Sequence, residues 1–364
     1  MLVNLPQHFR VTALCLLALA FTSLGHAEQP TTIPTSPEQQ LEIFHALSEK
    51  SRFSVYETDE QGNLIFVGFC NRHGRHASTP PEQQVTHRDE RPGLDDDDFR
   101  RILHFPKLRA VATQFQRISD DGYAVLTAFP DLVAVNLSNL KTALKRDTTQ
   151  QAPTSQTLLY LDQLRRLQDW NTTHSFGYQD EPAVLNKMQG FPELRSLNVD
   201  VGHADDFDEL FPFILQSPKL EFLKLHRTNF SEAQVKQILD ALPNLKRLDI
   251  KPRGNTPGKR WSYRSLRMIQ DYPNLESLRL IHADALPLPW EDGLEHLVAA
   301  KDLKYLDFPM SGDGREVRPE DLQRLQQSRP DLKILPLMER DEARRTKEEM
   351  RIQPTKFDTR IGPA

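Results

Sequence analysis

Residues 217–250 read SPKLEFLKLHRTNFSEAQVKQILDALPNLKRLDI, and this stretch decides the architecture. Leu220, Leu223 and Leu225 stand at L-x-x-L-x-L spacing, so that past the entry turn alternate side chains point the same way, as a half-buried strand requires. Asn229 and Phe230 turn the chain, Ser231 caps a helix, and Val235, Ile238 and Leu239 fall on one face of it. Pro243 stops that helix and sends the chain back into an extended conformation, where Leu245 restarts the pattern. A strand and helix of this size cannot bury their apolar sides alone, whereas stacked neighbours make a continuous core.

The same unit recurs as FPKLRAVAT from Phe105, FPDLVAVNL from Phe129, FPELRSLNV from Phe191, YPNLESLRL from Tyr272 and RPDLKILPL from Arg329. Degraded copies start at Leu161 and Ala300. The leading leucines are Leu108, Leu132, Leu164, Leu194, Leu220, Leu245, Leu275, Leu303 and Leu332, 24 to 32 residues apart. On these residues, positions 94–337 resemble a leucine-rich-repeat protein with long, helix-containing repeats, similar to the ribonuclease-inhibitor-like class and to repeats of exported bacterial proteins. The resemblance implies an α/β solenoid with parallel strands on the concave side and helices on the convex side. The family's turn asparagine is matched only at Asn229, so a regular asparagine ladder is not expected.

Before the repeats, Ser36 and Pro37 start a helix carrying Leu41, Phe44 and Leu47. Residues 53–58 and 64–69 alternate as two strands around a Gly- and Asn-containing turn. Together they form an N-terminal helix-hairpin cap over residues 38–93, ending in a polar loop from Asn71 to Gly93. Residues 28–37 read as a linker, and 141–156, 171–180 and 252–260 as loops leaving the solenoid. Residues 338–364 read as a charged tail, helical to about Arg351 and disordered beyond it.

Residues 1–27 carry one basic residue, Arg10, an apolar run of about 14 residues, too short to span a membrane, and a small-x-small site ending at Ala27. This predicts a signal peptide cleaved after Ala27 and a secreted or periplasmic protein. The net charge of -5 offers no basic footprint for nucleic acid. Cleavage would leave Cys70 as the one cysteine, with no intramolecular disulfide, so stability must come from the core.

Cys70, His73 and His76 form C-x-x-H-x-x-H, a spacing able to bind zinc, although the second paired set of most zinc sites is missing. A metal-dependent or cryptic hydrolytic enzyme centred there is one alternative reading, and an envelope structural protein is another. The run Asp95 to Asp98 lacks the alternating ligands of a calcium loop and suits the first turn of a helix. No nucleophile elbow, zincin motif or phosphate-binding glycine loop occurs, so no cofactor is expected.

The outward positions of the strands are more informative. Phe222, Lys224, His226, Arg247, Asp249, Lys251, Ser277, Arg279, Ile281, Tyr305 and Asp307 make one contiguous patch of aromatic and basic residues. Such residues dominate interface hot spots. Earlier units present Ala110, Ala112, Ala134, Asn136, Ser196 and Asn198 instead. The expected function is a non-enzymatic exported binding module whose concave face holds a protein, peptide or polymer, the local positive charge favouring an acidic partner. Charge reversal at Arg247 and Arg279 is expected to abolish binding without altering the fold. A face neutralised by its own ion pairs, Arg247 with a neighbouring aspartate for example, is the alternative.

Overall fold

The structure, a computed structural model, describes residues 30–71, 74–75, 80–87, 91–138, 153–154, 156–173, 188–200, 207–228, 231–252, 266–280, 290–307, 318–350, 353, 355–357, 359 and 362–363. Residues 1–29, with the expected signal peptide, lie outside the described residues, as do His73, His76, Asn229 and Ile281.

The strands are β1 (Phe53–Thr58), β2 (Leu64–Cys70), β3 (Gly74–Arg75), β4 (Gln84–Thr86), β5 (Ala110–Gln114), β6 (Ala134–Ser138) and β7 (Asp169–Thr173). They continue with β8 (Ser196–Asp200), β9 (Phe222–Thr228), β10 (Arg247–Pro252), β11 (Ser277–Leu280), β12 (Tyr305–Asp307), β13 (Lys333–Ile334) and β14 (Gly362–Pro363). Twelve of them form one open sheet in the order β13-β12-β11-β10-β9-β8-β7-β6-β5-β2-β1-β4. From β2 to β13 every neighbouring pair is parallel. Sequential parallel neighbours require a crossover on one face. α1 (Pro37–Ser48) precedes β1, and the helices after it lie on such crossovers: α2 (Asp96–Arg100), α3 (Asp120–Tyr123), α4 (Gln156–Asp162), α5 (Phe207–Leu215), α6 (Glu232–Ala241), α7 (Leu266–Gln270), α8 (His296–Ala299) and α9 (Pro319–Ser328). A tenth, α10 (Arg340–Glu349), follows the last strand.

Between the layers lies the core. Register places Val67, Val111, Val135, Trp170, Leu197, Leu223, Leu248, Leu278, Leu306 and Ile334 in one row across the sheet, all buried. The row corrects one repeat. Trp170 takes the place of Leu197 in the next unit, so the leading leucine is Leu167 rather than Leu164. Leu164 stands where other units have Phe105 or Phe191, and Leu167 N–H donates to its carbonyl as Leu194 does to Phe191. Leucine three residues after leucine offers two registers, and the larger indole decides between them by packing against Phe191 and Phe213.

Polar side chains hold several ends of the repeats. Asp95 caps α2 in a reciprocal pair with Asp98, Asp96 accepts from Ser119 of the next unit at 2.6 Å, Asp97 meets Arg100, and Asp98 meets Lys50 at 2.5 Å. The four carboxylates therefore serve a helix start, as their sequence pattern suggests. Asparagines do form a short ladder, but just before the leading leucine: Asn244 Nδ2 donates to Pro218 O and Asn274 Nδ2 to Pro243 O. In the last unit Arg329 replaces the apolar residue of the motif. Its guanidinium donates to the carbonyls of Ala300 at 2.7 Å and Leu303 at 2.9 Å, in the turn that leaves α8. Asp331 beside it raises its pKa above the ordinary arginine value.

At the N-terminal end, Ser36 and Gln39 form a capping box for α1. Asp59 accepts from the N–H groups of Gln61 and Asn63 in the hairpin turn, where Gly62 adopts φ +84°. Gln40 Oε1 accepts from Leu64 N–H and so ties α1 to β2. Three expectations need correction. The segment read as a linker is bound, with Ile33 N–H donating to Leu103 O at 2.7 Å and Thr35 Oγ1 meeting His104 Nδ1 at 3.0 Å. Part of the polar loop, β4, pairs with the free edge of β1. Of the expected loop 171–180, Asn171, Thr172 and Thr173 belong to β7. Composition reports what a segment prefers in isolation, and each of these is held by backbone hydrogen bonds that composition does not encode. The expected loops at 141–152 and 253–260 lie outside the described residues.

The tail departs most from expectation. α10 ends at Glu349, close to the expected Arg351, but Phe357 beyond it is only 1% exposed and Thr359 is also buried. β14 pairs antiparallel with β3. The charged sequence hides two large apolar side chains, Met350 and Phe357, and burying them provides a driving force that average composition obscures.

Candidate binding face

The sheet face opposite the helices carries two rows of side chains. Strands lie about 4.8 Å apart, so residues in a row are neighbours. One row runs Phe66, Ala110, Ala134, Asp169, Ser196, Phe222, Arg247, Ser277, Tyr305, Lys333. The second runs Gly68, Ala112, Asn136, Asn171, Asn198, Lys224, Asp249, Arg279, Asp307.

The structure thus brings together the residues that the sequence singles out on this face. Phe222, Arg247 and Tyr305 share the first row, and Lys224, Asp249, Arg279 and Asp307 alternate in sign along the second. His226 and Lys251 are register partners on β9 and β10, and their side chains lie outside the described residues. The alternation matters electrostatically. Arg247 grips Asp249 through two parallel bonds, Nε to Oδ1 at 2.8 Å and Nη2 to Oδ2 at 2.9 Å, while its guanidinium sits 4.9 Å above the Phe222 ring. The Asp249 side chain is 1% exposed and that of Arg247 13%. Arg279 Nε lies 2.9 Å from Asp307 Oδ2, an ion pair by distance whose N–H points off the oxygen.

The charges of Arg247 and Arg279 are balanced within the face by Asp249 and Asp307, the arrangement of the alternative reading. Charge reversal at Arg247 and Arg279 would set carboxylates against buried carboxylates, and the fold would not tolerate it as expected. Residues two apart on a strand share a face, which is why these cations and anions meet.

The first row continues to the tail. Lys333 Nζ meets Glu349 Oε2 at 2.8 Å, and that carboxylate holds its ammonium above the ordinary lysine value. Arg247 Nη1 donates to the main-chain carbonyl of Met350 at 2.8 Å. At the other end Phe357 belongs to an apolar cluster with Phe53, Val55, Phe66, Cys70, Ala110, Ala112 and Ala134, and Asn136 Nδ2 donates to Thr359 O at 2.6 Å. Sequence reasoning misses this contact, although a signal is present. β2 reads LIFVGFC, apolar at nearly every position, and a strand buried on both faces reads that way.

Of the C-x-x-H-x-x-H residues, Cys70 is described. Its thiol is buried on the apolar part of this face and approaches Gln114 Oε1 at 3.8 Å. Among the described residues no group of three or more His, Cys, Asp or Glu side chains is arranged to hold a metal ion.

An open sheet of parallel strands, one per leucine unit, with the motif's apolar row inward and a helical layer behind it, decides the architecture. The fold is a leucine-rich-repeat solenoid. No protein-family model matches the sequence, and no curated protein is similar to it. Among solved structures it is similar to an internalin from Listeria monocytogenes, at 12% identity over 83% of this chain and 71% of that one, with a TM-score of 0.42. A Bacteroides fragilis protein aligns at 19% identity over 65% of this chain and 68% of that one, with a TM-score of 0.40. A plant peptide hormone receptor aligns at 15% identity over 59% of this chain and 29% of the receptor, with a TM-score of 0.27. At these scores the assignment rests on the solenoid's own register and core.

Proposed function

We propose that this solenoid is a non-enzymatic, exported binding module that engages a protein or peptide on its open strand face. The contact surface centres on Phe222, Lys224, Arg247, Asp249, Arg279, Tyr305 and Asp307, with His226 and Lys251 at its edge. One observation carries the reading: Arg247, oriented by its two bonds to Asp249, already donates to a main-chain carbonyl, that of Met350. A donor fixed by a bidentate partner loses little freedom on binding, which favours recognition of polypeptide backbone there. The apolar run before Ala27 supports export. No described helix is long and apolar enough to cross a membrane.

The test is selection of peptides from a displayed random library on the immobilised full chain, with affinity then measured on variants. Selected peptides should bind Tyr305→Ala and Arg279→Gln at least tenfold more weakly than the wild type. Undiminished binding to both variants would place recognition elsewhere.

A further inference from the structure

We infer that the C-terminal segment is a built-in ligand of the open face, and that the seat of Phe357 is a recognition pocket for one aromatic side chain of a competing peptide. The inference rests on the reading of this face as a polypeptide-binding surface and names what its N-terminal half accepts.

Small residues make the seat. Ala110, Ala112 and Ala134 occupy outward positions on β5 and β6, where the face needs no alanine for its core. Three neighbouring methyl groups take up little space on the face, and Phe357 packs in one buried cluster with them and Phe66. Its ring centroid lies 6.4 Å from that of Phe66, tilted by 50°. Beside the seat the buried Asn136 supplies a directional contact, donating to Thr359 O while its own Oδ1 accepts from Ser138 Oγ. An apolar hole with an oriented amide at its rim is the usual form of a pocket that reads one side chain and the backbone next to it. Further along the face, on β10, Arg247 makes the equivalent backbone contact at Met350. The two anchors lie on either side of Thr355, Lys356 and Phe357.

The occupant is polar around its anchor. Lys356 is exposed next to the buried Phe357, and β14 adds a pairing with only Gly74 and Arg75. One aromatic side chain and a few backbone bonds hold a tethered segment by virtue of its high effective concentration, yet they leave it open to exchange with an external segment that offers the same groups. An incoming partner would displace Phe357 with its own Phe, Tyr or Trp and would then extend along the face toward Tyr305.

Fluorine NMR of the full chain carrying 4-fluorophenylalanine at position 357 tests this. A wild-type-like protein should give a resonance displaced from that of the free amino acid and insensitive to solvent isotope. Ala134→Phe, which fills the seat without touching the core between the layers, should move the resonance to the solvent-exposed position. The synthetic peptide of residues 351–364, RIQPTKFDTRIGPA, added in excess, should do the same, and its Phe-to-Ala version should need at least tenfold more. An exposed resonance in the protein without Ala134→Phe would overturn the occupancy. A buried resonance that the aromatic peptide does not move would overturn the exchange, and would leave the test of Tyr305 and Arg279 unaffected.

Discussion

Arg247→Met removes the cationic half of the most enclosed ion pair on the strand face. Asp249, 1% exposed at its side chain, would lose its bidentate partner. Breaking such a pair costs about 3–5 kcal/mol, mainly as the penalty of an uncompensated buried charge. Because Arg247 retains 13% exposure, the lower end applies, about 3 kcal/mol. Replacing both partners, Arg247→Met with Asp249→Leu, leaves no buried charge, and the loss should fall to about 1 kcal/mol. Urea unfolding monitored by circular dichroism measures both, with the slope showing whether the same surface is exposed. A single variant within about 1 kcal/mol of the wild type, or a double variant as unstable as the single one, would refute the view that the pair is enclosed and mutually dependent.

The remaining predictions concern the repeat edges. Glu221 is partly buried, which alone would raise its carboxyl; hydrogen bonds from Lys246 at 3.0 Å and Arg195 at 2.5 Å outweigh that and hold it below its ordinary 4.5. A depressed folded value means that its contribution is complete above 4.5 and is lost as pH falls through the folded value. Glu221→Gln should therefore lower stability at pH 7 and flatten the decline below pH 4.5, read from urea midpoints across pH; an unchanged acid limb would contradict the network. Arg329→Leu restores the apolar residue of the motif but leaves the carbonyl of Leu303 without its donor, while that of Ala300 keeps the N–H of Leu303. The expected cost is about 2 kcal/mol, at roughly 1–3 kcal/mol for one buried unpaired group. A neutral or stabilised variant would show that the Leu303 carbonyl is satisfied without Arg329.

The periodic part of the fold was legible because leucine spacing and proline punctuation report directly on strands and helix ends. The hairpin and the helix caps were legible for the same local reason. The degraded unit at Leu161 failed because leucines at 161, 164 and 167 fit more than one register, and only the packing of Trp170 distinguishes them. On the face, alternation gave the right outward residues, but pairing of Arg247 with Asp249 and Arg279 with Asp307 depends on geometry across and along strands. The tail was hardest. Phe357 is one apolar residue in a charged segment, and its destination is set by three alanines more than 200 residues away. The apolar run of β2 and those alanines were the available signs that this part of the face is covered.

On the proposed function the open strand face, and not the helical one, contacts the partner. A photo-crosslinking residue, p-benzoylphenylalanine, placed at Tyr305 on the strand face or at Lys236 on α6 in the helical layer tests this directly against a peptide selected on the immobilised chain. A crosslink is expected from position 305 and none from 236. Crosslinking from 236 alone, or equally from both, would contradict it.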